Sequence, residues 1–300
     1  MLETSLYRAV GQFAGVTQGV PDAELDREWA WGAYDSEGVR FAFFRTYEEL
    51  RELAARTAAE RSARGPAVSS AHRILAQVHS AYRDLEAALL GNGPDESGPA
   101  LIGAAEAAQA PDEGEWPVRK VVAHITGADV GFYGVVKYAL ERHRTGDGRP
   151  AEIPDEAWDD LVGEDEESFR AMTEGSLASL RSYHAALHGQ VLHEFAGISD
   201  EELALPSMYW EGTEMSLRFR LHRFDSHLRQ HTVQVDKTLE KIGQSPNEAK
   251  RLLRLIYAAL AEAEGATIGA WEAGAALGRE VAGAISARAD EIAGILARVE

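Results

Sequence analysis

Arg223-Phe-Asp-Ser-His227-Leu-Arg-Gln-His231-Thr-Val-Gln234 sits inside Leu217–Ile242, a run whose apolar residues recur at intervals of three and four. That period belongs to a helix. On such a helix His227 and His231 share one face, with Cβ atoms about 5–6 Å apart, close enough to hold one ion together. A third histidine, His124, stands in Val121-Val-Ala-His124-Ile, within a second run of helical period, Val118–Leu140. The chain has no cysteine, so a transition-metal site has only histidine and carboxylate ligands to draw on. His124, His227 and His231 are the candidate nitrogen ligands of one metal ion.

Working outward, the same period marks Leu6–Phe13, Tyr47–Ala63, Ala71–Leu90, Phe169–Phe195, Ala249–Ala263 and Ile268–Val299, and no segment sustains an alternation of two. The fold expected is all-α. Gly91–Pro99, Gly146–Pro150 and Gly243–Pro246 are the clear breaks. In the last, Ser245 is the expected N-cap and Pro246 the first helical residue. Leu161–Glu167 and Ala204–Glu214 read as connecting loops.

Composition narrows the function. The 30 basic and 49 acidic residues leave a net charge of −19, which repels phosphate backbones and argues against nucleic acid as a partner. No run of 18 apolar residues and no leader of signal-peptide type is visible, so no membrane partner is expected and a cytoplasmic location is the default. The acidic run from Asp155 to Glu167 reads as a solvated loop entering a helix N-terminus rather than a cation site.

The chain also matches itself at a shift of 178. Placing Asp22-Ala-Glu-Leu25 on Asp200-Glu-Glu-Leu203 aligns, without a gap, Arg40-Phe41 with Arg218-Phe219, Leu50-Arg51 with Leu228-Arg229, Gly65 with Gly243, and Glu86 with Glu264. Shared helical period produces matching leucines, but not this set, so a duplication is expected. Glu49 and Leu53 then stand where His227 and His231 stand, so one metal per chain is expected. The expected architecture is an up-and-down four-helix bundle over 68–243, built from the helices starting near 71, 118, 169 and 217. Residues 1–67 and 244–300 form degenerate half-repeats that pack together as a second bundle.

Trp116-Pro-Val-Arg-Lys-Val-Val-Ala-His124-Ile, followed by His227-Leu-Arg-Gln-His231-Thr-Val-Gln, resembles the DinB/YfiT-like metalloenzyme family over roughly 68–243. The resemblance implies a four-helix bundle with a long crossover, holding a divalent ion such as nickel or zinc on His124, His227 and His231. It further implies a thiol-dependent S-transferase or isomerase whose thiol is a small molecule such as mycothiol. Without a cysteine in the chain, that thiol has to come as a cosubstrate. A small-molecule substrate is the expected partner, with a homodimer one assembly it allows. Three neutral imidazoles also suit a metal-dependent hydrolase, or a non-catalytic protein that binds metal or a small molecule.

Neighbours of the histidines carry two readings each. Arg223 and Gln234 lie on the ligand face, either to bind and orient a substrate or to fix an imidazole. Gly127, Ala128 and Gly131 leave a cavity beside the ion or serve close helix packing. Trp116 reads as a bundle cap. His184 and His188, with His193 nearby, repeat the spacing of four and fit the edge of an amphipathic stripe. His72, His79, His143 and His222 have no expected partner.

Overall fold

A computed structural model describes residues 4–64, 67–91, 99–146, 148–158, 161 and 166–298. Among them are ten α-helices: α1 (Ser5–Thr17), α2 (Val39–Arg64), α3 (Ser70–Ala88), α4 (Ala104–Ala108), α5 (Val118–Thr145), α6 (Glu166–Glu174), α7 (Leu177–Phe195), α8 (Leu217–Lys241), α9 (Glu248–Gly265) and α10 (Ala275–Leu296). The all-α expectation holds.

Local chemistry sets the boundaries. Ser69, Ser176 and Ser216 cap α3, α7 and α8, each hydroxyl accepting a backbone N–H three residues on. Gly146, with φ of 65°, ends α5 in the left-handed conformation that suits glycine. Three expectations need correction. Phe169–Phe195 is two helices, because the cap at Ser176 restarts the chain after Gly175. The last helix begins at Ala275, not near 268, because Gly269 and Gly274 both take positive φ. The cap of α9 is Asn247, not Ser245: its Oδ1 accepts from Lys250 N at 2.9 Å while its Nδ2 donates to Val20 O. The loop at 204–214 holds one small ribbon, Pro206–Ser207 against Met215–Ser216. Residues 159, 160 and 162–165 of the acidic run, residues 92–98 of the first break, and Gly65 of the repeat lie outside the described residues.

Two apolar clusters organise the packing. α3, α5, α7 and α8 enclose one, built on Leu75, Val78, Val121, Ile125, Leu180, Leu221 and Leu228 among others. α1, α2, α9 and α10 enclose the other, including Phe13, Phe43, Leu50, Leu253, Ile256 and Ile285. α3 packs directly on α9 and joins the two. At that seam the buried Arg83 reaches Glu264 through two hydrogen bonds, at 2.8 and 2.9 Å, and also Glu86. Helix starts recur at the interval seen in the sequence: residues 39 and 217 differ by 178, and so do 70 and 248.

Candidate metal centre

α5 and α8 pack side by side and carry the three histidines between them. His124 comes from the second turn of α5. His227 and His231 come one turn apart from the middle of α8. Their side chains converge so that one ligand atom from each lies within 4.8 Å of the others. Among the described residues this is the group of three histidine or carboxylate side chains so placed. His227 Nε2 lies 3.2 Å from His124 Nε2. Two imidazoles on a tetrahedral zinc, each bonded at about 2.0–2.1 Å, have nitrogens roughly 3.3 Å apart. The donor set therefore fits a small divalent ion.

Electrostatics keep His124 and His227 in the ligating form. Burial, then the neighbouring His231, His124 and Arg223, push the His227 pKa down to about 3. Burial and His231 also lower that of His124. Neutral imidazole is the form that binds metal. His231 Nδ1 is 2.8 Å from Gln234 Oε1. Because the amide oxygen only accepts, that nitrogen carries the proton and Nε2 keeps its lone pair. His227 Nδ1 is buried without a hydrogen-bond partner among the described residues.

The surroundings are aromatic on one side and open on the other. Trp116 meets His124 edge-on with ring centroids 5.2 Å apart, and Phe132 meets His227 at 5.7 Å and 89°. His227 and His231 are buried, whereas His124 is exposed, so approach from solvent is on the α5 side. Arg223 donates to Ser226 Oγ at 3.3 Å and lies over the Phe132 ring. Gln234, by contrast, is engaged with a candidate ligand.

The small residues of α5 do not leave a void. A Cβ on Gly131 would lie 2.0 Å from the Tyr209 hydroxyl, and one on Gly127 would lie 3.3 Å from Phe169. They admit aromatic side chains from the 204–214 loop and from α6, which is the close-packing reading.

The second histidine pair does not converge on a site of its own. His184 Nε2 bonds Asp129 Oδ2 at 2.9 Å, and His188 Nε2 bonds His79 Nδ1 at 3.0 Å. His79 in turn reaches Glu264 at 2.9 Å, and His72 bonds Arg61, so two histidines without an expected partner have one. Asp129 went unremarked in the sequence. It is buried, burial raises its pKa, and the charge of His231 acts on it. Its signal was available: it is the one acidic residue in Val118–Leu140.

Fold and site together define a helical-bundle protein with a three-histidine cluster able to hold a metal ion. Residues 100–235, the segment that carries all three histidines, match the family model of the DinB superfamily. No curated protein and no solved structure gives a significant match. No helix among the described residues is long and apolar enough to cross a membrane.

Proposed function

We propose that His124, His227 and His231 bind one divalent transition-metal ion, nickel or zinc. On this reading the protein is a metal-dependent transferase or isomerase that takes a low-molecular-weight thiol, such as mycothiol, as cosubstrate. The observation that carries the reading is the convergence of three imidazoles from two helices, with His124 open to solvent. Three uncharged ligands leave the ion its full charge, which lowers the pKa of a thiol or water held beside it.

The chain's own residues have definite parts in this proposal. Burial holds His227 neutral, and Gln234 fixes the tautomer of His231. Arg223, whose charge acts on His227, would orient an anionic group of a substrate. Asp129, with one oxygen on His184 and the other buried without a partner, can hold a proton close to the cluster.

The same reading takes 68–243 as the metal-binding unit and the two terminal pieces as a degenerate second copy. Helix starts 178 residues apart support it. Glu49, which stands where His227 does, is bonded by Arg288 at 2.9 and 3.0 Å, and Leu53 lies in the second core. Neither is free to ligate.

Cobalt-substituted protein tests the proposal. Titration with a small thiol is expected to shift the cobalt absorption bands at one equivalent. A spectrum indifferent to thiols, with the ion firmly bound, would leave a non-catalytic metal protein instead.

A further inference from the structure

Four arginines are buried among the described residues: Arg61, Arg83, Arg220 and Arg288. Three are compensated by carboxylates. Arg83 pairs with Glu86 and Glu264, Arg220 with Glu211, and Arg288 with Glu49. Arg61, 4% exposed, has no carboxylate partner among the described residues. Its Nη1 donates to Ala266 O at 3.1 Å, its Nη2 lies 2.8 Å from His72 Nδ1, and its Nε is buried without a partner. His72 supplies no negative charge. Its Nδ1 also accepts from Ser69 N, and burial lowers its pKa, so the ring is neutral. A desolvated guanidinium facing only neutral dipoles is unfavourable, and breaking a buried ion pair shows how strongly.

Arg61 lines an open cavity of about 550 Å³ between α2, α3, α8 and α9. Arg51, Arg73 and Arg229 line it as well, and Glu262 is the carboxylate on its wall. Arg51 is paired with Glu262, and Arg229 with Asp225 at 2.7 Å. Arg73, like Arg61, has no ion pair among the described residues. Two positive charges are thus left facing one cavity in a chain whose net charge is −19. Much of the remaining wall is methyl surface, from Ala54, Ala58, Ala76 and Val68. Its size is that of a small-molecule site.

We propose that this cavity binds a small amphiphilic carboxylate, its head compensating Arg61 and Arg73 and its apolar body lying on the alanine wall. The site is independent of the histidine cluster, none of which lines it.

Calorimetric titration of the whole protein with octanoate and with its uncharged analogue octanamide tests the assignment. Octanoate is expected to bind at least about tenfold more tightly than octanamide, as a charge-assisted contact requires. Arg73→Gln, at an exposed position, and Arg61→Gln should each weaken octanoate by about tenfold and leave octanamide unchanged. His227→Ala should leave octanoate binding intact, which separates this site from a carboxylate held at the metal centre. Equal affinity for the two ligands, no binding of either, unchanged octanoate affinity in Arg73→Gln, or loss in His227→Ala would overturn the proposal. If Arg61→Gln fails to fold, Arg73→Gln still decides.

Discussion

Replacing Gln234 with Ala removes the acceptor 2.8 Å from His231 Nδ1 and nothing else that the cluster uses. Gln234 is half-buried on α8, three residues after His231, so alanine suits the helix at least as well. The lost hydrogen bond is by itself worth about 0.5–1.5 kcal/mol. Losing control of the tautomer adds to it, since a ring protonated on Nε2 cannot ligate through that atom. Partners of this kind typically change metal affinity by about 10–100-fold, or about 1.4–2.7 kcal/mol. We expect a metal dissociation constant at least about tenfold larger, with the unfolding free energy of metal-free protein altered by under about 0.5 kcal/mol. Competition against a chelating dye at constant pH measures the first, and urea denaturation with a chelator present measures the second. Gln234→Glu, which keeps an acceptor at the same reach, should hold the affinity of the parent. An affinity within about twofold of the parent for Gln234→Ala would mean that the contact does not orient a ligand.

Further outcomes follow from the seam and from pH. Arg83→Leu leaves Glu264 buried without its guanidinium and Glu86 with Arg181 alone, and should lower the unfolding free energy by about 3–5 kcal/mol in urea titrations. His188 is held neutral, mainly by burial and then by His79, His184 and Arg83, so its folded pKa lies well below the ordinary value. Its contribution to stability is complete above the unfolded pKa of about 6.5 and is lost as pH falls toward the folded pKa. Melting temperature should therefore drop between neutral pH and about pH 5, and drop less steeply in His188→Gln. Metal affinity, followed by dye competition as the pH is lowered, should decline less in acid than free imidazole with its pKa of about 6.5 would allow, because burial holds His124 and His227 neutral.

Much of this protein is legible residue by residue. Helical period marks every long helix, and the spacing of His227 and His231 places two imidazoles on one face before any coordinates are known. Where the reading went astray, a local backbone preference outweighed the period. Apolar residues continue in step through Gly175-Ser176 and through Gly269–Gly274, yet a side-chain cap and positive φ end the helices there. What could not be read is whatever depends on distant partners. His79 meets His188 across 109 positions and Glu264 across 185, and no local pattern in any of the three announces it. The glycines of α5 were legible as small but not as the seats of Tyr209 and Phe169, because the choice between void and contact depends on a separate loop and helix.

Metal content per chain, measured by elemental analysis of the parent protein, His227→Ala and His184→Ala purified alike, tests the central claim most directly. One equivalent of nickel or zinc is expected in the parent and in His184→Ala, and none in His227→Ala, with helical content preserved throughout. Metal retained by His227→Ala, or lost equally from His184→Ala, would contradict the assignment of His124, His227 and His231 as the ligands.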